Sequence, residues 1–163
     1  MPKKIVMNTG PIIALIAGLN NLEILKRLYN KVIVPYEVSE EILVKSKENY
    51  DAKVFKQNKW INKRNKPVKV EPFLKNSLDK GEASVIQTAT NENIKTVCID
   101  EVAGRRIARL NNLKVTGSLG IIISAIKKGE NLNIEKTIKK MRKNGVWISK
   151  ELEQKAIKLV NED

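Results

Sequence analysis

The side chains of this chain that could do chemistry are oxygen ligands. Histidine is absent and cysteine occurs once, at Cys98. Imidazole catalysis, an internal disulfide and a Cys/His zinc cluster are therefore excluded. Two polar residues directly follow apolar runs: Asn8 after Lys4 to Met7, and Asp100 after Lys95 to Ile99. Two acids sit among apolar neighbours in helix-like segments: Glu41 beside Ile42 and Leu43, and Glu82 ahead of Ala83, Val85 and Ile86. Along the chain these four are separated by 33, 41 and 18 residues, so only folding can bring them together. Carboxylates converging on a basic protein suit a hard divalent cation such as Mg²⁺ or Mn²⁺, which takes oxygen ligands, keeps several waters and bridges to phosphate oxygens. One or two such ions can generate hydroxide and stabilise both oxygens of an in-line phosphodiester cleavage. Each acid also has a plain structural use. Glu82 can be a favourable charge at a helix amino terminus, Glu41 a surface residue and Asp100 a helix cap.

The elements that must position these residues alternate between short apolar runs and amphipathic segments. Lys4 to Met7 reads as a buried strand stopped by Asn8-Thr9-Gly10-Pro11, where Asn or Thr can cap a helix and Pro suits its first turn. The helix that follows is expected to break at Gly18, and Asn20 to Tyr29 carries Leu22, Leu25 and Leu28 at helical spacing. Lys31 to Val34 is the next strand, and Pro35 opens a helix whose inward face is expected to be Val38, Ile42 and the stem of Lys45. A short helix from Asp51 to Gln57 and an edge strand near Trp60-Ile61 follow. Gly81 to Asn91 is a helix leading to Lys95-Thr96-Val97-Cys98-Ile99, which is β-branched and apolar as a central parallel strand should be. Helices are expected over Glu101 to Asn111, Ser118 to Ile126, Ile134 to Lys143 and Ser149 to Val160, with a strand at Lys114 to Thr116. Strand and helix in repetition argue for an α/β fold with an open parallel sheet and helices on both faces. In such sheets, sites form beyond the carboxyl ends of the strands where strand order reverses.

The 163 residues suffice for one domain with its own core. The longest apolar stretch, Pro11 to Ala17, is too short to span a bilayer, and no secretory signal is evident, so the expected location is the cytoplasm, away from membranes. Thirty-one Lys and Arg against 18 Asp and Glu give a net charge of +13, which makes a polyanion the first partner to consider. Nine of these cations lie between Lys53 and Lys80 against Glu71 and Asp79, a stretch able either to track a phosphate backbone or simply to dress a solvated surface.

The run Ile5-Val6-Met7-Asn8-Thr9-Gly10-Pro11-Ile12-Ile13-Ala14-Leu15 resembles the opening of PIN domains, specifically the subfamily whose start reads NTSPLIAL. The likeness continues at Val34 to Glu41, at Leu78 to Ala83, at Cys98 to Ala108, at Val115 to Gly120 and at Gly145 to Ser149. The resemblance implies a PIN-like open parallel sheet, with residues 1–163 forming one domain and about 134–163 a helical carboxyl-terminal extension. It also implies a metal-dependent ribonuclease site that uses Mg²⁺ or Mn²⁺. Relatives include toxins of toxin–antitoxin pairs, which cut RNA and are silenced by a small antitoxin protein. Position by position, the family's acids fall on Asn8, Glu41, Glu82 and Asp100, of which Asn8, Glu82 and Asp100 would hold metal. Glu37 and Glu40 could take the place of Glu41, since Glu37 and Glu41 share a helix face. Asn8 departs from the family's aspartate. An amide oxygen can ligate a metal, but it brings no charge and cannot act as a base.

The first functional reading is thus an RNase of the toxin kind, with Arg105 and Lys80 contacting RNA. The alternative is a PIN-fold module, catalytically weak or inactive because of Asn8, that binds nucleic acid or partners an antitoxin. A helix-turn-helix regulator built from the basic carboxyl-terminal helices is a third. Leu22, Leu25 and Leu28 could form an exposed strip for a homodimer or an antitoxin, although core packing explains such periodicity as well.

Overall fold

The computed structural model describes residues 3–45 and 50–162. Five parallel strands, β1 (Lys4–Met7), β2 (Lys31–Val34), β3 (Asn62–Lys63), β4 (Thr96–Cys98) and β5 (Lys114–Thr116), form one sheet in the order β3-β2-β1-β4-β5. The helices are α1 (Thr9–Leu19), α2 (Ile24–Leu28), α3 (Tyr36–Lys45), α4 (Tyr50–Gln57), α5 (Pro72–Ser77), α6 (Lys80–Asn91), α7 (Val102–Leu110), α8 (Ser118–Lys127), α9 (Ile134–Lys143) and α10 (Lys150–Asn161).

The strand order explains the helix layers. From β1 the chain steps outward through β2 to β3, then returns to the middle and steps the other way through β4 to β5. Parallel crossovers keep one hand, so reversing direction moves the connecting helices to the opposite face. Helix α6 accordingly lies against β1 and β4 with α5 and α7 beside it, while α1 packs on α8 and α9 and α10 covers both of those; α3 touches both α1 and α6. The central strands are buried to match: Ile5, Val6, Met7, Val32, Ile33, Val34, Val97 and Cys98 are fully enclosed. The reversal falls between β1 and β4, the neighbours that end at Asn8 and Asp100.

Several boundaries differ from the sequence reading for identifiable reasons. Gly18 does not break α1. It is the point of closest approach to α9, where a β-carbon would sit 2.7 Å from Met141 Cγ and 3.0 Å from Thr137 Cγ2. The helix ends two residues later, at Asn20, whose φ of 64° is left-handed. The expected helix over Asn20 to Tyr29 is consequently only the five residues of α2. Its leucines form no exposed strip: Leu22, Leu25 and Leu28 are all buried in the core, with α2 packed on α8. The edge strand expected near Trp60-Ile61 lies at Asn62–Lys63, because Ile61 is buried while Asn62 and Lys63 pair with β2. Helix α5 lies inside the basic stretch without an apolar period of its own, since Leu74 is its one buried residue. Val38 and Ile42 face inward as expected, and the stem of Lys45 lies outside the described side chains. Ile134, Ile138 and Met141 are buried, so α9 is built into the core rather than free for a separate DNA-reading unit.

Candidate metal centre

Main-chain bonding carries the β1–β4 pairing up to the site. The amide of Asn8 donates to the carbonyl of Cys98 at 3.0 Å, and that of Ile99 to Thr116 at 3.0 Å. Asn8 occupies the N-cap position of α1, yet its side chain caps nothing. An Asn there would ordinarily accept from the first-turn amides. Here the residue is buried and its amide oxygen is turned toward the start of α6.

Gly81 marks where it meets its neighbours. A β-carbon at this glycine would lie 3.2 Å from Asn8 Oδ1, 3.3 Å from Glu41 Oε2 and 3.6 Å from Asp79 Oδ1. Three oxygens from β1, α3 and the start of α6 thus surround one point on a backbone that lacks a side chain. Of the three acids on α3, it is Glu41 that points here. Glu37 instead accepts from the amide of Val68 at 3.2 Å, and Glu40 is exposed.

Next to this cluster is a tighter one. One carboxylate oxygen from each of Asp79, Glu82 and Glu101 lies within 4.8 Å of the others. Asp79 and Glu101 are exposed, whereas Glu82 is only 4% exposed. Asp79 caps α6, accepting from the Glu82 amide at 2.9 Å, which fixes the first turn and sends the Glu82 side chain inward. There Glu82 Oε2 is buried with no hydrogen-bond partner, against Gly104, where any β-carbon would collide with it and with Ile99 Cγ2. An ionised carboxylate left this way is costly. Burial foremost, then hydrogen bonding to Asp79 and the charges of Asp79 and Glu101, push the Glu82 carboxyl up to about 8. Glu82 therefore holds its proton near neutrality in the metal-free site.

Asp100 leaves the same loop as Glu101 but turns the other way, accepting from the Ser118 amide at 2.8 Å at the amino terminus of α8. It is therefore a charge at the start of α8, not of α7. Arg105 sits beside it. A β-carbon at Gly117 would lie 2.5 Å from Asp100 Oδ1 and 2.9 Å from Arg105 Nη1, and the same guanidinium nitrogen donates to the Ile99 carbonyl at 2.9 Å. Lys80 is exposed at the amino end of α6. Thr9 begins α1 with its hydroxyl buried and unpartnered. Cys98 is buried in β4, and burial raises its thiol well above the ordinary range, leaving no thiolate nucleophile.

Asp79 and Glu101 were not among the residues that sequence reasoning singled out. The signal for Asp79 was present, because Asp79-Lys80-Gly81-Glu82 has the spacing of a capping box. Glu101 had only its adjacency to Asp100.

The donor set fits a hard cation. It is all oxygen and open to solvent on the Asp79 and Glu101 side, where waters can complete the coordination, and it contains a buried carboxylate with an unanswered oxygen. Fold and site together define an all-parallel α/β protein with an acidic pocket at the switch point of its sheet. The chain belongs to the PIN-domain family: a family model described as a PIN domain matches residues 4–162. Members of this family are generally nucleases that act on nucleic acid with the help of divalent metal. Comparison with curated proteins and with solved structures gives no match. No helix among the described residues is long and apolar enough to cross a membrane.

Proposed function

We propose that the chain is a metal-dependent ribonuclease, the toxin component of a toxin–antitoxin pair, acting in the cytoplasm and held in check by a small antitoxin protein. The observation that carries the nuclease reading is the buried Glu82 carboxyl, one oxygen of which has no hydrogen-bond partner, meeting Asp79 and Glu101 at the sheet's switch point. The toxin assignment rests on the NTSPLIAL-like opening of the chain. Asp79, Glu82 and Glu101 would hold Mg²⁺ or Mn²⁺, with the neutral Asn8 oxygen and Glu41 alongside. Bound there, the ion would supply the positive charge that activates water and stabilises the oxygens of phosphodiester cleavage.

The remaining roles belong to the chain's own groups. Glu82 surrenders its proton as the cation arrives, which charges the pocket only when it is loaded. Asp100 stands at the far edge of the site near Arg105, whose guanidinium is held by the Ile99 carbonyl and can donate to an RNA phosphate from its unengaged edge. Lys80, with exposed lysines of the stretch back to Lys53, steers the polyanion by counterion release. Two cations of that stretch are already engaged: Arg64 in a bidentate pair with Glu92, and Lys63 over the Phe55 ring.

Incubation of single-stranded RNA with the chain and Mn²⁺ tests this, with the Glu82→Gln/Asp100→Asn double variant as control. Turnover by the wild type and none by the variant is expected. RNA binding without turnover in either protein would refute the hydrolytic reading in favour of an inert binding module, for which the neutral Asn8 is the favouring observation.

A further inference from the structure

Beyond β5 a cleft of about 590 Å³ runs from the Asp100–Arg105 corner to the loop between α9 and α10. Its walls are largely aliphatic, and its only ionisable lining groups are Asp100, Arg105 and Lys155. At its far end stands Trp147, 85% exposed, in a protein whose aromatic residues amount to 4% of the sequence. Leaving an indole in water forgoes one of the largest burial gains available to any side chain.

The loop that presents it is not slack. The Val146 amide donates to the Met141 carbonyl at 2.9 Å, and Arg142 donates to the Ile148 carbonyl through Nε at 3.0 Å and Nη2 at 2.8 Å. Arg142 also pairs with Glu153 at 2.8 Å, and Ile148 is buried. Both neighbours of Trp147 are thus tied down, so a ligand stacking on its ring need not order the backbone that presents it.

We propose that this cleft is a track for single-stranded RNA, in which Trp147 stacks on a base and Lys155 and Arg105 take up flanking phosphates. Every base offers a π-face, and stacking on a fixed aromatic ring is tolerant of sequence but needs an unpaired base. The charge balance of the lining and the +13 of the whole chain favour a polyanion over an acid-poor protein segment. The inference rests on the nuclease reading in one respect only, that the strand's other end reaches the acids of the switch point.

Tryptophan fluorescence read in EDTA separates the two. Trp60, the other tryptophan, is partly buried against the core and serves as a constant background. A short single-stranded oligoadenylate should quench the wild type, and the same strand in a duplex should quench it far less. Trp147→Leu should abolish the quench and weaken binding about tenfold or more, and Trp147→Phe should restore most of the affinity. Quenching that depends on Trp147, in a protein that never cleaves RNA with Mn²⁺, would sustain the track and refute the nuclease. Cleavage by a wild type whose fluorescence and affinity ignore Trp147 would overturn the track alone. Loss of a co-purifying protein from Trp147→Leu, with RNA affinity unchanged, would also overturn it, since the cleft would then be a protein-docking groove.

Discussion

Raising the pH from 6 to 8 should strengthen Mn²⁺ binding about fiftyfold, because Glu82 must lose a proton before the pocket can accept a cation. With its carboxyl pushed up to about 8, Glu82 is ionised in roughly one molecule in a hundred at pH 6 and in about half of them at pH 8. Calorimetry in two buffers of different ionisation enthalpy measures both the affinity and the protons released, and nearly one proton per ion should appear at pH 6. The same titration governs the metal-free protein with the opposite sign. Between its ordinary value of 4.5 and about 8, folded Glu82 holds a proton that the unfolded chain has released. Stability in EDTA should therefore fall as pH rises through that window, by up to about 1.4 kcal/mol for each unit crossed. Glu82→Gln keeps the shape without the titration, so its melting temperature should lack this slope and its residual Mn²⁺ affinity should be nearly flat with pH. Equal slopes in the two proteins, or wild-type Mn²⁺ binding independent of pH, would refute the account of Glu82 as the proton-holding ligand.

Leu25→Ala should lower unfolding free energy by about 2–5 kcal/mol, the cost of a cavity under α2, while leaving the oligomeric state unchanged; denaturation and light scattering check the two halves separately. Asn8→Asp should tighten Mn²⁺ by about tenfold or more, since a carboxylate would replace the amide oxygen that lies 3.2 Å from where a β-carbon at Gly81 would sit, and calorimetry showing no change would place Asn8 outside the ion's reach.

The sheet was legible because its strands must be buried on both faces, and Lys4 to Met7, Lys31 to Val34 and Thr96 to Cys98 carry that demand in their side chains. What periodicity could not see were contacts made across the fold. Gly18 looks like a helix breaker until Met141 is placed against it, and the leucines of α2 have the same spacing whether they face water or α8. The basic stretch hid α5 because one buried leucine in six residues makes no period. At the site, Asn8, Glu41 and Glu82 were readable as polar groups set where strands end or helices turn apolar. Asp79 was readable only as a helix cap and Glu101 not at all, because an exposed acid at a helix start has an ordinary use, and only its distance from a buried partner distinguishes it.

That distance also gives the neutral residue at position 8 a physical role. Burial first, and then the neighbouring Asp79 and Glu101, already keep Glu82 protonated near neutrality. A further carboxylate at Asn8, facing Glu41 and Asp79 across Gly81, would deepen the repulsion in the metal-free fold and raise the folding cost of an empty pocket. An amide there leaves an oxygen in place without that charge. The position trades metal affinity for stability of the unloaded protein, and Asn8→Asp should accordingly melt lower than the wild type in EDTA and higher in saturating Mn²⁺. A variant more stable in both conditions would mean that the pocket's charge is not what limits it.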